Sequence, residues 1–327
     1  MMRKGTTLAG LKKVIALLLL IAIVTTSVQL EALAEGNVQE VSAEETVQPE
    51  VTSKEVQSSG EPLVVAELEE ERTQNSNTFL LDNGMKQIVL YSDDIRYEDE
   101  EGNLVDYNPK LVETDTDSMD TIKELAADSE VIDQSTAADY IYENKSGDSK
   151  QYIPKTIDSD TPLLMTNKDY KLTFAPLTES KNDTAGNAFN NISFGSVRIE
   201  EDLVTDSYGV EKEVPIQAVY ENAEQSIALE YRSLDFGIKE NIILNEMPSA
   251  NTFSFIMEME GMYPKLDNPE IGGGITFFDE ETNTIVGGIE APFMNDATEE
   301  AYSEDLHYEI TKNGEKENVY ILTLVVD

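Results

Sequence analysis

The sequence predicts a mainly β protein: an antiparallel β-sandwich-like domain, preceded by a small β-hairpin or meander module, with a signal peptide and disordered acidic linkers. Two observations predict it. From Tyr152 onward, short runs of alternating apolar and polar residues are punctuated by Gly, Asn, Asp and Pro turns, and few segments keep a helical period. The clearest run alternates Phe253, Phe255, Met257 and Met259 with Ser254, Glu258 and Glu260, which predicts one core face and one wet face.

The amino-terminal residues have a different pattern. Arg3, Lys4, Lys12 and Lys13 precede an apolar run over residues 14–24, and Ala32-Leu33-Ala34 supplies a small-x-small cleavage site. Residues 1–34 therefore read as a secretory signal peptide, with Ala32 and Ala34 marking cleavage. The apolar core is shorter than the roughly 20 residues a spanning helix needs, so no membrane contact is expected after cleavage.

Four further segments follow. Residues 35–66 are rich in Glu, Gln, Ser, Thr and Pro and read as a disordered acidic linker. Residues 67–113 form the small β module, with turns at Asp82-Asn83-Gly84 and Glu101-Gly102-Asn103. Residues 114–151 are an acidic insertion or linker, partly helical, with Asp117 as N-cap and Ile122 and Leu125 on one side of the helix. An EF-hand loop starting at Asp115 fails at Met119, Asp120 and Ala126. Residues 152–327 make the sandwich, ending in two hairpins, 275–289 and 306–326.

The formal charge is −42, and removing residues 1–34 leaves 19 basic against 64 acidic residues. Such a surface repels phosphate backbones, which predicts no nucleic-acid partner. There is no cysteine, which excludes thiol catalysis and thiolate metal sites. A cysteine-free exported chain suits a Gram-positive-type bacterium, secreted to the cell wall or the medium.

Residues 220–244 read as two strands and a turn. Ile227, Leu229 and Tyr231 face one way, and Phe236, Ile238, Ile242 and Leu244 share a face that Glu240 interrupts. An unpaired inward carboxylate is costly, so the expectation is a bulge at Lys239-Glu240 that returns the acid to solvent, or an ion pair with Arg232 or Arg198. A Lys-Asn isopeptide crosslink would need Lys239, Glu240 and Asn241 to converge, which neighbours on one strand do not.

No catalytic, cofactor-binding or metal-ligating residue emerges. His307 is the only histidine and shares the solvent face of its strand with Glu309. The chain has no G-x-S-x-G, Walker A or H-E-x-x-H motif. Its 65 acidic residues are too many to single out a glycosidase pair.

The stretch over residues 72–112, through Arg72, Ser76, Thr78, Phe79, Asp82, Gly84, Tyr97, Asp99, Gly102 and Leu111, resembles the opening module of large secreted Firmicutes wall-associated proteins of the YD-repeat (Rhs-type) and DNRLRE-domain kind. The most specific match is Tyr220, Asn222, Leu229, Tyr231, Gly237, Lys239, Glu240, Ile242 and Leu244, followed by Pro292 and Asp296. Ala228 stands where that family usually has Asp, a Trp near Leu104 is missing, and residues 114–165 look inserted.

The resemblance implies a non-catalytic, non-enzymatic scaffold at the amino terminus of a longer cell-surface polypeptide, followed by repeat or carbohydrate-binding-like domains as its partners. A binding module for cell-wall glycan or a divalent cation is the alternative, and a secreted glycan hydrolase the further one.

Overall fold

The computed structural model describes residues 13–15, 22–23, 62–99, 101–178, 186–205, 211–224, 226–248, 250–268, 273–298, 301–314 and 316–327. The cleavage residues Ala32 and Ala34, and the linker up to residue 61, lie outside them. The chain divides into two units, residues 26–94 and residues 1–25 with 95–327.

Short strands β1 (Lys13–Ile15) and β2 (Ala22–Ile23) open the larger unit. The smaller unit is one antiparallel sheet of three strands: β3 (Val64–Glu67), β4 (Ser76–Leu81) and β5 (Lys86–Leu90). Its β4–β5 turn uses Gly84 at φ 82°, with the Met85 carbonyl accepting from the Leu81 amide at 2.8 Å. A left-handed residue there explains the glycine.

The larger unit continues with a two-stranded hairpin, β6 (Arg96–Glu98) and β7 (Leu104–Asp106). The Asp99 carboxylate closes its turn by accepting from the Glu101 and Asn103 amides at 3.0 and 2.8 Å. β8 (Asn108–Glu113) follows, then α1 (Thr116–Ala127). The helix is capped by Asp115, whose side chain accepts from the Ser118 amide at 2.9 Å, and not by Asp117, which sits inside the first turn.

The eight-stranded sheet is completed by β9 (Tyr140–Ser146), β10 (Lys150–Pro154), β11 (Leu163–Thr166), β12 (Lys171–Pro176), β17 (Thr252–Glu260), β23 (Leu306–Lys312) and β24 (Val319–Val326). Their order is β23-β24-β17-β12-β11-β10-β9-β8, and every pairing is antiparallel. A five-stranded antiparallel sheet lies opposite, in the order β1-β16-β15-β14-β13. Its strands are β13 (Arg198–Thr205), β14 (Glu211–Glu221), β15 (Ile227–Leu234) and β16 (Gly237–Leu244), with β1 at the edge. A smaller sheet pairs β18 (Met262–Leu266), β19 (Ile275–Asp279), β20 (Ile285–Ile289) and β2.

The protein is therefore mainly β, and its core is a sandwich. Leu163, Met165, Leu172, Phe174, Phe253, Phe255 and Met257 from the larger sheet meet Tyr220, Leu229, Tyr231, Ile238 and Ile242 from the smaller in one buried cluster. Phe174 and Phe255 stack with ring centroids 4.6 Å apart, and Phe189 meets Phe255 edge-on at 5.2 Å.

At Ser254 and Glu258 the far face of the larger sheet is dry too, which corrects the expected wet face of β17, while Glu309 on the same face of β23 is exposed. Ile122 and Ala126 of α1, with Ile132 and Ala137, pack on Tyr140, Tyr152 and Leu164 in a second core. Glu258 is buried beside this layer, and Ser254 is buried against Thr323, its hydroxyl 3.0 Å from the threonine hydroxyl. Glu258 pairs with buried Lys171 at 3.7 Å and accepts from the Ser129 hydroxyl and the Glu130 amide. The Lys171 ammonium also donates to the Leu125 carbonyl at 3.2 Å and pairs with Glu260. Alternation placed these polar groups on one face correctly, but a helical layer from the acidic segment covers that face.

Candidate functional site

The residues singled out between positions 220 and 244 come together on β14, β15 and β16. Tyr220 is buried and donates its hydroxyl to the Pro154 carbonyl at 2.6 Å, tying the two sheets. Asn222 closes the β14–β15 turn, its side-chain oxygen accepting from the Ser226 and Ile227 amides at 2.9 and 3.2 Å. Leu229, Ile242 and Leu244 are core. Lys239 lies half-buried opposite Arg232, on the other face of the sheet. The turn into β16 is held by Gln151 of β10, whose buried amide donates to the carbonyls of Leu234 at 3.1 Å and Gly237 at 2.9 Å. Gln151 does not stand out in the sequence, because a glutamine on a strand reads as a solvent-facing residue.

Glu240 departs from both expectations. The β15–β16 register runs without a shift from Ile227↔Leu244 to Leu234↔Gly237, so no bulge turns the acid outward, and it is fully buried. Neither arginine reaches it. Arg232 pairs with Asp202 at 2.8 Å, and Arg198 with Glu200 at 2.7 Å and Glu221 at 3.2 Å. Parity explains this, since Arg232 sits opposite Lys239 and thus on the opposite face from Glu240. Asn241 also faces away, donating to Glu230 at 2.6 Å, so Lys239, Glu240 and Asn241 do not converge.

What Glu240 meets instead is tyrosine. It lies directly across from Tyr231 in the ladder, and its charge is felt at Tyr308 of β23, in the opposite sheet. Removal from water pushes its carboxyl up to about 8, while the Tyr231 hydroxyl acts weakly the other way. The same burial, joined by the nearby carboxyl, pushes Tyr231 and Tyr308 well above the usual phenol value. The Tyr231 hydroxyl and the carboxyl lie near enough to act on each other, and the Tyr308 hydroxyl is buried without a hydrogen-bond partner. Burial with no cation beside it favours the protonated form of this carboxyl, which lies between the two sheets.

Pro292 is buried outside this constellation. Asp296 caps its own turn, accepting from the Thr298 amide at 3.1 Å and hydroxyl at 2.9 Å. It also lines, with Leu244, Met247, Phe253, Met294, Tyr302 and Val326, a cavity of about 780 Å³ at one end of the sandwich. That cavity was not legible in the sequence, since its wall is built from four separate segments. His307 is partly exposed and contacts Asp327 at 3.2 Å. Among the described residues no three His, Asp or Glu side chains converge as metal ligands, and no helix is long and apolar enough to cross a membrane.

No family model matches the chain, and no solved structure matches it. Curated relatives do. The chain is 25% identical over 331 residues to a protein named tRNA(Glu)-specific nuclease WapA from Bacillus subtilis subsp. natto (strain BEST195), a match covering 97% of this chain. It is 24% identical over 324 residues, 96% of the chain, to tRNA nuclease WapA from Bacillus subtilis (strain 168). The match spans about 12% of the length of each relative. These names overturn three expectations: a non-catalytic scaffold with its glycan-binding and hydrolase alternatives, a non-enzymatic role, and the absence of a nucleic-acid partner. The expectations rested on the resemblance centred on residues 220–244, on the charge and on missing motifs within this stretch, and none of these reports on the rest of relatives of which the chain spans about 12%.

Proposed function

We propose that this chain is part of an exported, wall-associated tRNA nuclease of the kind its two relatives are named for, with tRNA cleavage the activity of the whole polypeptide. One observation carries the reading: the similarity runs over 97% of the chain and is not confined to one motif. The leader-like residues 1–34 support export, β1 and β2 then belonging to the precursor and leaving with the leader, and the resemblance to large YD-repeat proteins supports a polypeptide much longer than this stretch. Residues 95–327 bring to it a body with two packed cores. A tRNA that meets this strongly acidic surface does so through bridging cations or basic segments elsewhere in the polypeptide.

The test is a fractionation of producing cells with an antibody raised against the sandwich. The reading expects a wall-fraction polypeptide several times larger than 36.3 kDa. A signal confined to the cytoplasm at this mass would overturn it.

A further inference from the structure

Glu240 is fully buried, has no cation beside it, and its polar neighbour is the Tyr231 hydroxyl across the ladder. It lies on the inner face of β16, in the core cluster that Ile238, Ile242 and Tyr231 of one sheet share with Tyr308 of β23 in the other. The titratable groups facing it are Tyr231 from β15 and Tyr308 from β23, with Tyr220 of β14 next to Tyr231 and Glu290 next to Tyr308. None carries a positive charge. The nearby cations Arg198 and Arg232 are engaged on the outer face. An ionised carboxyl therefore meets only the Tyr231 hydroxyl and no cation in the closed seam, which does not offset its removal from water, whereas a protonated one sits there at modest cost.

We propose that Glu240 is a proton lock on this seam: the protonated carboxyl lets the β15–β16 hairpin close on β23, and loss of the proton favours a locally opened sandwich. The pH window follows from linkage. In the closed seam the proton is held up to a pH of about 8, and in the open seam the carboxyl returns toward its ordinary value of 4.5. Between these limits only the open form ionises, so the opening equilibrium rises with pH, by at most about tenfold per unit when the open carboxyl is fully solvated. Above pH 8 both forms are ionised and the rise stops. Stability at the seam is thus fully present in acid and lost toward alkaline pH, opposite to the behaviour of a salt-bridged carboxylate.

The experiment is amide hydrogen exchange of the full chain and of Glu240→Gln from pH 5 to 9, compared as a ratio at each pH so that intrinsic exchange cancels. The expected ratio, wild type over variant, climbs by at least about tenfold between pH 5 and 8 in peptides covering 227–244 and 306–312, then levels off. It stays near one in α1. A ratio independent of pH, or one that climbs equally in α1, overturns the proposal.

If Glu240→Gln does not fold, the infrared carbonyl band of a protonated carboxylic acid decides in the wild-type chain. The band persists at pH 7 and fades through pH 8 if the lock exists. Its absence at pH 7 overturns it.

Discussion

The side-chain amide of Gln151 donates to the main-chain carbonyl of Gly237 at 2.9 Å, so a strand of the larger sheet holds the turn that starts β16 in the smaller one. A second bond from the same amide reaches Leu234 at 3.1 Å. Gln151→Leu keeps the volume and leaves both carbonyls without a donor in a dry site. The expected loss is about 2–3 kcal/mol, from the desolvation of unsatisfied acceptors. Urea unfolding with an unchanged slope measures it, and a loss below about 0.5 kcal/mol would mean that water replaces the amide.

Lys171 and Glu258 form a buried pair under the α1 layer. Removing one partner strands a charge, so Lys171→Met is expected to cost about 3–5 kcal/mol. Adding Glu258→Gln should recover part of that loss, since the remaining group is neutral and its one carbonyl oxygen can still accept from the Glu130 amide, with the amide nitrogen turned to the Ser129 hydroxyl. Denaturant melts of the two single variants and the double variant give the coupling, and a double variant as unstable as the sum of the singles would refute it.

Gly261 turns the chain between β17 and β18 at φ 75°, and a Cβ there would lie 2.6 Å from the Asp169 carbonyl oxygen. Gly261→Ala is expected to destabilise by about 1–3 kcal/mol. Gly314→Ala, where a Cβ meets nothing within 4 Å, is the matched control and should be nearly neutral. Thermal melts of both distinguish backbone strain from a general effect of losing a glycine.

Asp279 shows the ordinary direction of acid linkage. The Thr282 hydroxyl and amide, and the Tyr170 hydroxyl at 2.8 Å, hold its carboxyl down to about 2. Its contribution is therefore present above the ordinary aspartate range and is lost as pH falls through about 2. Tyr170→Phe should move the Asp279 carboxyl resonance midpoint upward in an NMR titration. An unchanged midpoint would show that the threonine contacts alone set it.

Much of this architecture was legible in the residues. The alternation of Phe253, Phe255, Met257 and Met259 placed β17 in the core, and the hairpins after it followed from their turn residues. The far face of that strand was not legible. The acidic composition of residues 114–151 reads as solvated, yet Ile122, Ala126, Ile132 and Ala137 within it are enough to cover Tyr152 and Leu164. Glu240 shows the same gap. Strict alternation aims it inward, and it is inward; a bulge or an ion pair is expected ahead of protonation as the way to relieve the buried charge, yet the register is unshifted and no cation reaches it. Burial raises the carboxyl instead, in the direction of the protonated form. The tRNA nuclease similarity lies beyond periodicity and charge altogether, since it attaches to a polypeptide of which this stretch matches only 12%.

The most direct measurement of the proposed function is cleavage of bulk tRNA by the complete polypeptide that carries this chain, followed on denaturing gels with divalent cation supplied. The account predicts discrete tRNA fragments that accumulate with time. Intact tRNA after prolonged incubation with folded, full-length protein would contradict it.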